Sequence, residues 1–444
     1  MKFHKKLFFV LILFLVFTNC QKYYIPIEIS SEDFHQAQDQ LTSVMVHDIF
    51  SPPLASRVYA YANIAAHEIL VQEKDNQFSN LKDALNDFEG VTPANDSLVN
   101  YPLAALIAYI EVGKSLIFSV ERMSQYIDEL SLNWKEQNPS VYSASLEYAM
   151  LVVGEIKSWY ERDNYKETRT YPKFFVDYDS PSRWQPTPPD YMDGIEPHWN
   201  KIRPFVLSAP TQFQPEPPPP FSMEPQSDFY KELMEVYQVV KEIHDNDLPD
   251  ERREIAKFWD CNPYVSTHKG HVMFALKKIS PGAHWIGITK IVARNSSADV
   301  FTSVAAYTNV SIAIADAFIS CWDEKYRSNL IRPETIINKV LDKNWYPVLQ
   351  TPPFPEYTSG HSVVSGAASV ILTDFFGDNI PFDDDTELPY DLPIRSYLSF
   401  NQAAEEAAIS RMYGGIHFRK AIDEGLKQGR NLGNYVSQKL GLKN

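Results

Sequence analysis

Ser297–Asn329 reads SADVFTSVAAYTNVSIAIADAFISCWDEKYRSN, and its spacing decides the fold. Val300, Val304, Tyr307, Ile312, Ala315, Phe318 and Trp322 recur at helical intervals, so the segment is predicted as one long apolar helix. Lys325 stands at its end and Arg332-Pro333 follows. If the helix persists, these two cations share nearly one face and lie about two turns, roughly 10 Å, apart. Basic side chains at a helix C-terminus are also favoured by the helix dipole alone.

Two further clusters follow. Thr358-Ser359-Gly360-His361 precedes Val363, Val364, Ala367, Ala368, Ile371, Leu372 and Phe375, an apolar helical face that stops before Gly377. Ser359 stands where an N-cap belongs, and the helix start presents unpaired N–H groups that suit an anion, with Gly360 permitting close approach. Farther on, Ile409-Ser410-Arg411-Met412-Tyr413 closes a helix, Gly414-Gly415 bends the chain and His417 opens the next segment. On a continuous helix Arg411 and His417 would diverge, whereas a glycine bend returns both to one place.

Upstream, helical periodicity recurs and strand-like alternation is scarce, so the chain is predicted mostly α. Ser30 or Ser31 caps a helix toward Phe50, and Pro53 starts another through Tyr59, Ile64 and His67 toward Val71. Further helices are expected around 99–131, 139–162, 227–245 and 250–259. Between Tyr171 and Ser222 the chain turns rich in proline and aromatics, including Pro217–Pro220, which reads as an extended, wrapping arm. That arm sets the expected division: residues 1–20 an export signal, 21–222 an N-terminal helical region with the arm, and 223–444 a C-terminal catalytic region. Lys2, Lys5 and Lys6 precede the apolar run Leu7–Phe17, and Cys20 follows. The run is shorter than the roughly 20 apolar residues of a membrane span, so it reads as a bacterial export signal with Cys20 as a lipidated first mature residue. The expected location is therefore the periplasm or cell surface, with the N-terminal lipid as the one membrane contact. No later segment is expected to cross a membrane.

The 444 residues are 44% hydrophobic and 22% charged, with a formal net charge of −16. This composition supports a folded core and disfavours nucleic acid as a partner. Besides Cys20, Cys261 and Cys321 remain; one disulfide or two buried thiols both fit, and a zinc site of cysteines alone does not. Metal ligation by His268 with His271, or by His47 with His67 and Glu68, is the weaker reading of those residues. His284 follows Pro281-Gly282-Ala283 and is assigned no role.

Taken together, Lys325, Arg332 and Arg411 bring about three positive charges beside His361 and His417 in an acidic chain, and burying them without an anion would be costly. A tetrahedral oxyanion satisfies them, with arginine forks matching its oxygens. The order Lys325-x6-Arg332-Pro333, Ser359-Gly360-His361, Ser410-Arg411-x5-His417 resembles the type 2 phosphatidic acid phosphatase and vanadium-dependent haloperoxidase superfamily. The aromatic arm near 204–221, Phe258-Trp259, and Asp316-Ala317 before Trp322 resemble its haloperoxidase-like branch. The resemblance implies an all-α helical bundle with an added N-terminal helical region. It implies Lys325, Arg332 and Arg411 as oxyanion clamps, Ser359 and Gly360 as hydrogen-bond donors, His361 as acid/base, and His417 as nucleophile or axial vanadium ligand.

Two positions depart from the family pattern. Thr358 replaces the usual proline, and Ala421 occupies the place of the carboxylate that orients the histidine; Asp423, Glu424 and Asp316 are the candidate substitutes. The resulting expectation is a haloperoxidase-like enzyme that binds vanadate and oxidises halide with peroxide. One alternative is a metal-independent phosphatase that hydrolyses phosphomonoesters through a phosphohistidine, with no cofactor, and another is a non-catalytic oxyanion-binding lipoprotein. The missing carboxylate weighs toward the first, because ligation demands less of an imidazole than nucleophilic attack does.

Overall fold

A computed structural model describes residues 24–74, 76–246, 248–269 and 272–442; the export-signal reading and Cys20 therefore fall outside the described residues. The described helices are α1 (Ser31–His47), α2 (Pro52–Leu70), α3 (Tyr101–Lys114), α4 (Val120–Gln137), α5 (Pro139–Tyr160), the single turn α6 (Tyr165–Thr168), α7 (Asp228–Asp245), α8 (Glu251–Phe258), α9 (Pro281–Asn295), α10 (Val300–Ser328), α11 (Pro333–Val340), α12 (Gly360–Phe376), α13 (Phe400–Tyr413) and α14 (Arg419–Lys439). Two short antiparallel hairpins, β1 (Ser266–Lys269) with β2 (Val272–Ala275) and β3 (Phe382–Asp384) with β4 (Arg395–Tyr397), complete it. The all-α expectation holds. His268 lies on β1 and not on a helical face, and His271 is outside the described residues.

The helix α10 organises the bundle. It is capped by Asp299, whose carboxylate accepts from Thr302 N at 2.7 Å, and every residue from Ser303 to Lys325 is buried. A helix apolar on all sides must be wrapped by other elements, and α1, α2, α9, α12 and α14 all pack on it. It is also long and apolar enough to cross a membrane, contrary to expectation, but its apolar stretch is wholly buried inside the protein. One continuous apolar core runs from Ile27 to Val436.

The predicted 99–131 helix divides into α3 and α4. Asp48, just past α1, accepts from the backbone N–H of Phe118 at 3.1 Å and of Ser119 at 2.9 Å, which pins the turn between the two helices. The arm beyond Tyr171 is irregular, an extended path broken by several turns and a short 3-10 helix at Trp199–Lys201. It is held to α10 by Asp316, whose carboxylate accepts from the amides of Phe205, Val206 and Leu207 at 2.7, 2.8 and 3.0 Å. Trp322 Nε1 and Tyr326 Oη both donate to Ile195 O, at 3.1 and 2.6 Å.

The helices α12 and α14 cross in backbone contact through glycines. A β-carbon at Gly429 would lie 2.1 Å from Val363 O, and one at Gly366 would lie 2.7 Å from Leu426 O. Gly429→Ala must therefore push the helices apart, and a loss of about 2–3 kcal/mol is expected in denaturant unfolding. A change within about 0.5 kcal/mol would show that the crossing yields easily.

Candidate active site

The site is built where the C-terminal end of α10, the loop before α12 and the bend between α13 and α14 meet. Lys325, fully buried, donates from Nζ to the carbonyls of Pro355, Glu356 and Thr358 at 3.0, 3.0 and 2.5 Å. Its three donors fasten the 355–358 loop while its charge stays inside the protein. Burial pushes its pKa down to about 7.

Lys325 and Arg332 do not share a continuous helix. The helix α10 ends at Ser328, Asn329 adopts a left-handed conformation with φ 48°, and Arg332 becomes the N-cap of α11. The intervening chain is held by the arm, with Ile331 N donating to Ser182 O at 2.9 Å. This turn, rather than helical periodicity, directs Arg332 inward. Its Nε donates to Phe354 O at 2.9 Å, and its Nη1 to Ile416 O at 2.8 Å and toward His417 Nε2 at 3.1 Å.

Ser359 caps α12 as expected, its Oγ accepting from Ser362 N at 3.4 Å. Gly360 and His361 form the first turn. Burial, and after it the charge of Arg411, hold His361 well below the usual histidine range, so its ring is neutral. The ring hydrogen-bonds the backbone of Trp259, whose carbonyl also accepts from Arg411 Nη1 at 2.7 Å. Gly415, at φ +76°, makes the bend after α13 and brings His417 back beside Arg332.

The orienting carboxylate is Glu356. Its Oε1 lies 2.8 Å from His417 Nδ1 and accepts from Phe418 N at 2.9 Å. Since Oε1 is already an acceptor of the amide, the proton shared with the ring resides on Nδ1, and Nε2 keeps its lone pair, which accepts from Arg332 Nη1 at 3.1 Å. Burial and the Arg332 charge hold His417 well below its ordinary value, consistent with a neutral ring, while burial pushes Glu356 up to about 8. None of the three candidates proposed from sequence performs this task. Asp316 anchors the arm, Glu424 accepts from Glu216 N at 3.3 Å, and Asp423 is exposed, near Arg419. Glu356 was overlooked because it lies 61 positions before His417; the available signal was an acidic residue inside the apolar, proline-rich run PPFPEYTSGH.

Lys325, Arg332, Ser359, Gly360, His361, Arg411 and His417 therefore converge. Gly360, His361, Arg411 and His417 line a narrow cleft with Phe318, Trp322, Phe354 and Tyr264. Arg332 Nη2, Arg411 Nε, His361 Nε2, Ser362 Oγ and Glu356 Oε2 are buried without a protein hydrogen-bond partner. The charge of Glu356 acts on Lys325 and Arg332, and that of Asp260 on Arg411. An anion with several acceptor oxygens answers this excess of charge and donors.

Cys321 and Cys261 are both buried free thiols, so the disulfide alternative falls. Among the earlier metal candidates, His67 Nε2 lies 2.9 Å from Ser79 O and Glu68 accepts from Leu81 N at 2.7 Å, so both fasten a loop. His47 Nδ1 is 3.0 Å from Lys277 Nζ.

Comparison with known proteins gives the same picture. The crystal structure of a bacterial vanadium-dependent iodoperoxidase, described as the first of its kind, is 57% identical with a TM-score of 0.90, over 94% of this chain and 98% of that one. The chain belongs to the vanadium-dependent haloperoxidases. Residues 305–441 match the family model of the VCPO second helical-bundle domain. Holo-type and apo-type structures of a bacterial vanadium-dependent chloroperoxidase share the haloperoxidase fold at 17% identity, with TM-scores of 0.68 and 0.67, over 94% and 88% of this chain and 99% and 94% of those. No curated protein matches.

Glu356→Gln retains the shape of this haloperoxidase's histidine support but removes the carboxylate. Vanadate affinity is expected to fall about 10- to 100-fold, read by titration with orthovanadate; unchanged affinity would show that the ring needs no such partner.

Proposed function

We propose that the protein is a vanadate-dependent peroxidase that oxidises iodide with peroxide. The observation that carries this reading is the neutral His417, its Nδ1 held by Glu356 and its Nε2 accepting from Arg332 Nη1, beside the unpaired donors Arg332 Nη2 and Arg411 Nε. In this reading Lys325, Arg332 and Arg411 hold the oxyanion's charge, Ser359 and the Gly360 amide donate to its oxygens, and His417 Nε2 ligates the metal. These donors fit vanadate, because their unpaired atoms are N–H groups and one imidazole nitrogen. Bound vanadate supplies a Lewis-acidic centre that activates peroxide toward two-electron oxidation of halide.

The protein's own residues do the rest. Glu356 keeps the Nδ1 proton in place, so His417 stays a ligand rather than a donor at Nε2. His361 accepts or returns a proton at Nε2. The wall of Phe318, Trp322 and Phe354 excludes water and offers a polarisable surface to a large halide. Iodide, the most readily oxidised of the common halides, is supported by the 57% identity to a bacterial iodoperoxidase. We also propose export, with Cys20 as a lipid anchor, on the Lys2–Lys6 and Leu7–Phe17 pattern.

A phosphatase reading has one observation in its favour: Glu356 gives His417 the oriented Nε2 that a phosphohistidine mechanism needs, so the argument against it from a missing carboxylate no longer stands. Assays of iodide, bromide and chloride oxidation beside phosphomonoester hydrolysis separate the two. Iodide oxidation that depends on both vanadate and peroxide is expected; phosphate release inhibited by vanadate, with no halide oxidation, would overturn the peroxidase. His361→Ala is expected to lower turnover about 10²- to 10⁴-fold while vanadate binding largely survives. Equal turnover in that variant would leave His361 without a proton-transfer role.

The buried lysine adds a pH dependence. An anion is attracted by protonated Lys325, whose pKa in the free site is lowered to about 7, so binding takes up protons. Vanadate affinity should weaken as pH rises through about 7, and Lys325→Met should bind more weakly and flatten that slope. A profile identical in the variant would assign the dependence to another group.

A further inference from the structure

Beside the catalytic cleft, three side chains from separate segments aim their donor atoms at a common point. Cys261 follows α8, His284 lies in the first turn of α9, and Glu387 sits between β3 and β4. Cys261 Sγ is 3.4 Å from His284 Nδ1 and 3.8 Å from Glu387 Oε1, and Nδ1 is 3.4 Å from that same Oε1. All three residues are buried. Cys261 also borders the cleft, but the proposed reaction uses none of the three.

We propose that Cys261, His284 and Glu387 form a divalent-metal site that takes zinc. A tetrahedral zinc with bonds of about 2.0 Å to nitrogen or oxygen and about 2.3 Å to sulfur requires donor separations of roughly 3.3–3.6 Å. The three observed edges fall within or close to that range without any rearrangement.

A second observation concerns the far side of the imidazole. His284 Nε2 lies 2.8 Å from Asp384 Oδ2, and Asp384 Oδ1 is itself held by Thr386 N at 3.0 Å. A carboxylate behind a ligating histidine fixes the tautomer, putting the proton on Nε2 and the lone pair on Nδ1, toward the ion. The Trp259 ring stacks on His284 at 4.3 Å between centroids, and Phe258 meets it edge-on at 5.5 Å, so the ring cannot swing away. Thiolate, neutral imidazole and carboxylate give a charge of −2, which a dication neutralises. The mixed sulfur, nitrogen and oxygen set suits zinc and not calcium or magnesium. On binding, the Cys261 S–H and any proton shared with Nδ1 or Glu387 leave to solvent, and three metal–ligand bonds form with no redox change.

Such an ion would tie the loop after α8, the start of α9 and the β3–β4 turn together. That loop carries Trp259, whose carbonyl accepts from Arg411 Nη1, so the metal is placed to support the oxyanion pocket from behind. It is a positioning element, not a catalytic one.

The test uses the full-length protein, incubated with zinc chloride alone, desalted and analysed for metal by mass spectrometry. One zinc per chain is expected, dropping below one tenth in both Cys261→Ser and Glu387→Gln. Cobalt(II) loading of the unaltered protein provides a readout independent of variant folding: a thiolate-to-cobalt charge-transfer band and the intense visible bands of tetrahedral cobalt are expected. Zinc absent from the wild type, zinc retained in both variants, or cobalt bound without the thiolate band would each overturn the proposal.

Discussion

The hydrogen bond between Glu356 and His417 sets the chemistry of the whole pocket. Arg332 Nη1, which can only donate, meets Nε2 at 3.1 Å and calls for a lone pair there, and the carboxylate at Nδ1 selects the same tautomer from the other side of the ring. Nε2 is therefore an acceptor. The carboxylate also sits where Lys325 and Arg332 need a counter-charge, so one side chain serves orientation and partial neutralisation together. Its position is secured by the backbone: Phe418 N holds Oε1, and Lys325 holds the Glu356 carbonyl.

Burial makes these groups responsive to a ligand. Lys325 and Arg332 are fully buried, and burial is the largest influence on both pKa values. Arg332 Nη2 has no partner and can bond an anion directly, whereas Lys325, its three donors on carbonyls, acts through its charge; both gain more from an anion than exposed cations do, because solvent does not screen the interaction. The same burial demands a rigid surround, since loosening would admit water. The glycine crossing of α12 and α14 and the arm pinned by Asp316 supply that rigidity, which is why helices distant from the oxyanion site bear on its affinity.

The bundle was legible in the sequence wherever burial follows a helical period. α10 is readable because apolar residues occupy every face of it, and α12 because Ser359 caps an uninterrupted apolar run. The division between α3 and α4 was not legible, because it depends on Asp48, which holds the turn from some 70 positions away. Gly414-Gly415 signalled the return of His417 correctly, since a bend needs a residue tolerant of positive φ. The same reasoning failed for Lys325 and Arg332. Seven-residue spacing suggested one helical face, yet Asn329 ends the helix and the arm, by pairing with Ile331, aims Arg332.

Glu356 shows most clearly what a local pattern leaves out. The orienting carboxylate was sought near His417 along the chain, where Asp423 and Glu424 offered the right chemistry at the wrong place. A carboxylate has only to reach Nδ1 in space, and the loop before α12 passes His417 because Ser359 N donates to Ala421 O at 3.0 Å. The residue that stands at the family's usual carboxylate position is therefore the one whose backbone docks the loop that delivers the replacement. Ala421 is itself fully buried.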